Sequence, residues 1–416
     1  MPWLEACSPL LVTESLEGTG LSLGCAVGDV TPRRAVVWLR AEKESAVSVH
    51  YAKDPGLNAS ASRGPVRTAE ESDYTAKILL DELEPKTRYY YRAVVAGKKP
   101  GPVCRFVTAP LPEDPADIRF TFSGDSRDTY RPFLIMDSIR EMRPDFFLHL
   151  GDTIYADRNG VARVLPQFWA KYVINRTDPP TQRLFSETSL YVIWDDHEVG
   201  DNYHPSDPLA PIGRRAFLDY WPVLQDPGDP YRIYRSVRWG RAVELFILDT
   251  RQYRDPSAGT ILGDRQKRWF LEALSSSDAW FKFVATSVPF TSPNSDKWGG
   301  YRKERDEILD MIQRKGIKGV VFLSADVHYA AVSGVGRGSG LKEIIVGPIG
   351  APMGLARGTA RRFEFFSRES FNYGMATVYA KANPPYAEIE ILGANNKSLY
   401  KTRIEASTRQ KARVEI

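Results

Sequence analysis

Two aspartates, each following a glycine at the end of an apolar run, stand 27 residues apart in the middle of the chain. Asp125 closes IRFTFSGDSR, and Asp152 closes DFFLHLGDTIY with Tyr155 three residues further on. Between them, RPFLIMDSIREMRP has helical spacing and is stopped by Pro144. The arrangement is a strand–helix–strand unit of about 30 residues, which delivers both carboxylates to the carboxyl ends of neighbouring parallel strands. Two buried strands gain nothing in packing by ending in like charges. A hard cation would justify the repulsion, because such ions take oxygen ligands.

Three further polar clusters follow at the ends of expected strands: WDDHEVGDN (Asp195, Asp196, His197, Asn202), VATSVPF (Ser287) and SADVH (Asp326, His328). The chain has only five histidines, and two of them fall inside these clusters. One Gly-Asp pair also marks an ordinary turn or helix cap. The ordered set, with Tyr155 attached, points instead to a metal site assembled from several strand ends.

The elements that must position these residues fall into two regions. Residues 20–109 contain AVVWLRA, AVSVHYA, YTAKILLD, TRYYYRAVV and VCRFVTAP, short stretches rich in β-branched and aromatic residues with turns between them. They predict a β-sandwich of about 90 residues. The proline- and acid-rich segment APLPEDPAD then reads as a linker, dividing the chain into 1–110 and 111–416. From Ile118 onward strands alternate with helices (LGDRQKRWFLEALSS and YRKERDEILDMIQRKG among them), an α/β pattern. The last segments, FNYGMATVYA, YAEIEILGA and SLYKTRIEA, read as antiparallel strands. Residues 156–190 and 203–215 read as loops at the mouth of the site, with Arg158, Arg163, Lys171 and Arg176 as steering charges. The tail 407–416 reads as mobile.

Composition narrows the partners. A net charge of +4, from 56 basic and 52 acidic residues, supplies neither a nucleic-acid surface nor a membrane-binding stripe, and it does not repel anionic substrates. No run approaches the roughly 20 apolar residues of a membrane span. The opening MPWLEACSPLLVTESLEG lacks a basic n-region and an apolar h-region. A cytoplasmic location is therefore expected for the sequence as it stands, and a periplasmic or secreted one where an export signal has been removed. Cys7, Cys25 and Cys104 are too few for a disulfide framework; buried thiols are expected, with a Cys25–Cys104 bridge as the alternative.

The ordered clusters resemble the calcineurin-like metallophosphoesterases, whose pattern runs GD, GDxxY, GNHE and GHxH. Within that superfamily the chain is most similar to PhoD-like alkaline phosphatases. The likeness runs from LSLGCAVGDVTPRRAVVWLRAE through HLGDTIYAD, WDDHEVGDN, RSVRWGRAVELFILDTRQYRD and DKWGGYRKER to FLSADVHYA. The resemblance implies a four-layer αββα catalytic domain preceded by a fibronectin type III-like accessory β-sandwich. It also implies a first metal on Asp125, Asp152, Tyr155 and His328, suited to Fe(III) or another hard cation. A second metal, on Asp152, Asp196 and Asp326 with Asp195 competing for the same post, would be Ca, Mn or Mg. By the same resemblance a phosphomonoester or phosphodiester, on a small molecule or a polymer, would be hydrolysed by a metal-bound hydroxide. His197 would be general acid, and Arg127 and Asn202 would bind phosphate oxygens. The chain departs from the family at Asp125, where a cysteine is common, and at Thr286 and Ser287, where related enzymes often bring a histidine. Two other readings remain open: a catalytically silent phosphate- or nucleotide-binding protein on the same fold, and a recognition role for the sandwich.

Overall fold

The computed structural model describes residues 15–336, 338–355 and 362–406; Cys7 and the tail 407–416 lie outside them. Two large sheets face each other. In one, Ile118–Ser123, Phe146–His149 and Ser189–Val192 run parallel at the centre, flanked on one side by the antiparallel strands Asn372–Tyr379, Tyr386–Gly393 and Ser398–Glu405. In the other, Val243–Ile247, Phe281–Ala285, Val320–Ser324 and Leu341–Ile345 are parallel neighbours. Phe146–His149 and Val320–Ser324 are buried along their whole length, as a strand covered on both faces must be, hence their unbroken apolar sequences. Aromatic rings knit the two sheets: Phe120 meets Phe283 edge-on at 4.8 Å and Phe146 meets Trp239 at 4.9 Å.

Among the described residues, six α-helices clothe the outer faces: α1 Leu134–Glu141, α2 Leu165–Arg176, α3 Pro179–Glu187, α4 Ala210–Tyr220, α5 Gly263–Ser276 and α6 Arg302–Arg314. α5 and α6 bury Phe270, Leu274, Ile308 and Ile312 against Phe246, Val284 and Phe322 of the second sheet. The result is the four-layer αββα arrangement expected from the sequence.

Three of these helices occupy segments expected to be loops. DPPT does not break the chain: Asp178 accepts from Thr181 N at 3.1 Å as an N-cap, and the prolines fill the first helical turn, where no amide partner is needed. α2 escaped notice because it buries Lys171, Asn175 and Arg176 beside its apolar residues, which blurs the periodicity. Lys171 and Arg176 are consequently not charges at the mouth. Lys171 Nζ donates to the carbonyls of Arg158 and Asn159. The Arg176 guanidinium is caged by Trp38, Phe185 and Trp221, with ring centroids 4.4–4.9 Å away.

The N-terminal region forms a sandwich whose second layer is the four-stranded sheet Ala61–Arg67, Ala46–Ala52, Arg88–Val95 and Cys104–Val107. Its first layer, Ala26–Gly28, Ala35–Arg40 and Thr75–Leu80, does not stand apart. Ala26–Gly28 pairs in parallel with Ser189–Val192 (Val27 opposite Ser189), so this layer extends the first large sheet to nine strands. Cys25 and Cys104 are buried, free thiols in the sandwich.

Candidate metal centre

The carboxyl ends of the parallel strands from both sheets converge, as expected where open α/β sheets build sites. Asp125 follows Ile118–Ser123, Asp152 follows Phe146–His149, Asp195 and Asp196 follow Ser189–Val192, Arg251 follows Val243–Ile247, and Asp326 and His328 follow Val320–Ser324. Four of these residues turn sharply: Asp125, Asp152, Asp326 and His328 have φ of 65°, 51°, 69° and 56°. Non-glycine residues rarely hold that left-handed conformation, and a cluster of such positions is a mark of a functional site. The glycine of each Gly-Asp pair makes room. A Cβ on Gly124 would sit 2.8 Å from Ala325 Cβ, and one on Gly151 would sit 2.7 Å from Asp195 Cβ.

The ligand atoms form three overlapping triads: Asp125, Asp152 and His328; Asp152, Asp196 and His197; and Asp195, Asp196 and Asp326. Within each, the candidate atoms lie within 4.8 Å of one another. Asp152 belongs to two triads, and so does Asp196. Tyr155 joins the first through its hydroxyl, 3.0 Å from His328 Nε2. His328 Nδ1 donates to the Pro352 carbonyl at 2.7 Å, which fixes the tautomer and leaves Nε2 as a lone pair aimed inward. Burial holds this imidazole below its ordinary pKa, in the neutral form that ligates. The donor set fits a hard cation. Asp125 Oδ2 and Asp195 Oδ2 are buried without a hydrogen-bond partner among the described residues, as carboxylate oxygens waiting for an ion would be.

Electrostatics point the same way. Burial, and then the neighbouring carboxylates, hold Asp125 and Asp152 well above the ordinary carboxylate pKa; Asp195 is pushed up to about 7 by burial, against the pull of Arg251. Asp196 is the exception: burial raises it, but Arg251, His197 and Lys297 together draw it below its usual value. A carboxyl whose folded pKa is raised gives stability that is complete below its unfolded pKa and is lost as pH rises through the folded one. For Asp195 that window runs from its ordinary 3.8 to about 7. The melting-temperature gain on adding metal to chelated protein should therefore be larger at about pH 8 than at about pH 5.5. Differential scanning fluorimetry measures it, and a gain that does not change with pH would count against the site.

Around the triads stand residues whose partners the sequence does not reveal. The buried carboxylate of Glu198 accepts from Asp152 N, Thr153 N, Thr153 Oγ1 and Asp195 N at 2.5–3.2 Å, tying two ligand loops together. Replacing Glu198 by Gln turns an acceptor toward the amides into a donor facing donors. We expect a loss of about 2–4 kcal/mol of stability and a lower metal content, read by chemical unfolding and elemental analysis. A variant within about 0.5 kcal/mol of wild type would refute the staple. Asp157, two residues past Tyr155, holds His197 Nδ1 at 2.7 Å, while the His197 ring stacks 4.2 Å from Tyr155. Its only sequence cue is its place in the GDTIYAD run.

Arg251 is fully buried. It bonds Asp195 Oδ1, which Ser287 Oγ also reaches at 3.1 Å, and its other nitrogens face Asp296, Asp196 and Asp326. Arg127 is half-buried, and its guanidinium has no carboxylate partner among the described residues; it lies 6.0 Å from the Tyr155 ring centroid. Asn202 reaches the site with its backbone: its N–H donates to Asp196 Oδ2 at 2.7 Å, whereas its exposed side chain turns to Asp201. His149 sits behind the site against Ser126 Oγ at 3.2 Å, and His204 pairs with Ser206 on the surface.

Facing mixed sheets with acidic strand ends meeting between them define the metallophosphoesterase fold. The PhoD-like phosphatase domain pattern matches residues 121–362 and that of the PhoD-like phosphatase N-terminal domain matches residues 6–110, so the chain belongs to the PhoD-like phosphatase family. It is similar to alkaline phosphatase D of Bacillus subtilis (strain 168), 26% identical over 374 residues, covering 74% of this chain and 64% of that protein. The chain thus spans under two thirds of that relative's length. A solved structure of PhoD superposes with a TM-score of 0.80 at 20% identity, covering 96% of this chain and 94% of that one. Purple acid phosphatase PPD1 from yellow lupin (Lupinus luteus) seeds does so with 0.72 at 12% identity, covering 92% and 75%. No helix among the described residues is long and apolar enough to cross a membrane.

Proposed function

We propose that the chain is a metal-dependent phosphoesterase acting on phosphomonoesters, phosphodiesters or both. The observation that carries this reading is the position of Asp152, shared by two adjoining ligand triads at the meeting of the strand ends. Asp125, Asp152, Tyr155 and His328 would hold Fe(III) or another hard cation. Asp152, Asp196 and Asp326 would hold Ca, Mn or Mg, since an all-oxygen set disfavours softer ions. Asp195 competes for the same post: its Oδ1 serves Arg251 and Ser287, while its Oδ2 has no partner among the described residues. When bound, the cations supply charge to the phosphoryl oxygens and acidify water.

The remaining work falls to the chain. Arg127, with no carboxylate partner among the described residues, is placed to take non-bridging oxygens with its planar fork. His197 is raised above its ordinary pKa: burial lowers it, but the bond to Asp157 and the charge of Asp196 outweigh that. A proton held on this ring is placed to pass to the leaving alkoxide, with Asp157 holding the ring in place. Asn202 contributes by fixing Asp196 through its amide. The linker at 109–117 is the boundary we favour between sandwich and catalytic region.

The test is hydrolysis of p-nitrophenyl phosphate and bis-p-nitrophenyl phosphate by chelated protein to which single metals are returned. Inactivity with every metal would leave a silent binder. Visible absorption of the purified protein separates the metals at the first group: a tyrosinate–iron(III) charge-transfer band is expected with iron and absent with manganese or calcium.

A further inference from the structure

One buried cation at the centre is unaccounted for by the roles above. Arg251 is held by Asp195 and Asp296, and Arg254 by Asp296. Lys297, only 8% exposed, has a single ionic partner among the described residues: its Nζ lies against Asp326 Oδ2, though not in hydrogen-bond alignment. Asp326 is a carboxylate assigned above to the second cation.

The segment carrying Lys297 is built to stay put. Trp298 is fully buried, donates from Nε1 to Thr286 Oγ1 at 3.0 Å and packs 4.8 Å from the Phe290 ring. Gly299 and Gly300 press so closely on Pro293 and Ser295 that added Cβ atoms would fall 2.2 and 2.0 Å from their backbones. Asp296, the residue before, anchors the segment to Arg254 at 2.7 Å. The backbone is fixed; only the four-carbon stem of Lys297 is free to swing.

If Asp326 held a metal ion, its charge would be shared with that cation, and the buried ammonium would be left incompletely neutralised, which is costly. A phosphoryl group carrying two negative charges restores the pairing better than one carrying a single charge. Monoesters carry close to two charges above about pH 7, and diesters one. We propose that Lys297 binds substrate phosphate and biases the site toward phosphomonoesters over phosphodiesters. The inference rests on the phosphoesterase reading.

The experiment compares full-length wild type, Lys297→Met and Lys297→Arg, each loaded with the metal that supports most activity. Calorimetry measures binding of inorganic phosphate, and metal content is measured alongside. Rates on p-nitrophenyl phosphate and bis-p-nitrophenyl phosphate give the monoester-to-diester ratio of kcat/KM. Lys297→Met is expected to weaken phosphate binding about tenfold and to lower the ratio by a similar factor, with metal content kept. Lys297→Arg should retain most of both. Lys297→Gln carries the same expectation should the Met variant lose its cooperative melt. Phosphate affinity and substrate ratio both within about twofold of wild type would overturn the inference while leaving the phosphoesterase reading intact. A wild type that neither binds phosphate nor cleaves either ester with any metal would overturn both.

Discussion

Asp152→Asn is expected to lose at least about a thousandfold in turnover and to carry less metal. The substitution keeps the shape and removes one charge from the residue common to two triads. Loss of a central electrostatic group costs several kcal/mol of barrier, at about 1.4 kcal/mol per tenfold. The fold should not suffer. In the metal-free protein this carboxyl is held well above its ordinary pKa by burial and then by Asp196, Asp195 and Asp125, so its ionised form opposes folding. A neutral amide relieves that repulsion, and chelated Asp152→Asn should melt at or above the temperature of chelated wild type at alkaline pH. Opposite signs for activity and metal-free stability distinguish a ligand from a structural residue. Retention of more than about a tenth of the activity would falsify the shared-ligand role.

The parts of this site legible in the sequence are those written in short local patterns. Asp125 and Asp152 stand out because an apolar strand must end where a carboxylate begins, and Asp326 and His328 repeat the device. Glu198, Asp157 and Lys297 are different. Each acts on a partner more than 25 residues away, at Asp152, His197 and Asp326 respectively. Each lies in or beside a quoted run, but nothing in that run names its partner. The same reason hides α2: Arg176 is a plausible surface residue until Trp38, Phe185 and Trp221 close around it. Asp195 and Asp196 are interchangeable on paper, because their short pattern does not show that Arg251 and Ser287 both reach Asp195 Oδ1. The pairing of Val27 with Ser189 was equally out of reach, since the strand Ala26–Gly28 has three residues and no alternation to read.

That pairing bears on the most drastic change we consider, removal of residues 1–110. If the sandwich were a detachable accessory, the remaining chain would keep its fold and its metal. The contacts argue otherwise. Truncation strips a parallel neighbour from Ser189–Val192, the strand that delivers Asp195 and Asp196. It also takes Leu23, Ala26, Trp38 and Ala109 out of the central hydrophobic core. Trp38 donates to the Asp219 carbonyl at 2.8 Å and is one wall of the Arg176 cage, so its loss leaves the buried Arg176 guanidinium facing a void. Asp29 goes as well, and with it the bonds to Leu224 N at 2.7 Å and Arg235 Nε at 2.8 Å. Emptying one large buried aromatic site costs about 3–5 kcal/mol, and whole domains are stable by only about 5–15 kcal/mol. The sum of lost contacts exceeds what the remainder can bear. The fragment 111–416 should therefore be insoluble or, if recovered, lack a cooperative melt and near-ultraviolet circular dichroism, with no metal retained. A soluble fragment that unfolds cooperatively and still holds metal would show that the sheet continues across a boundary it does not need.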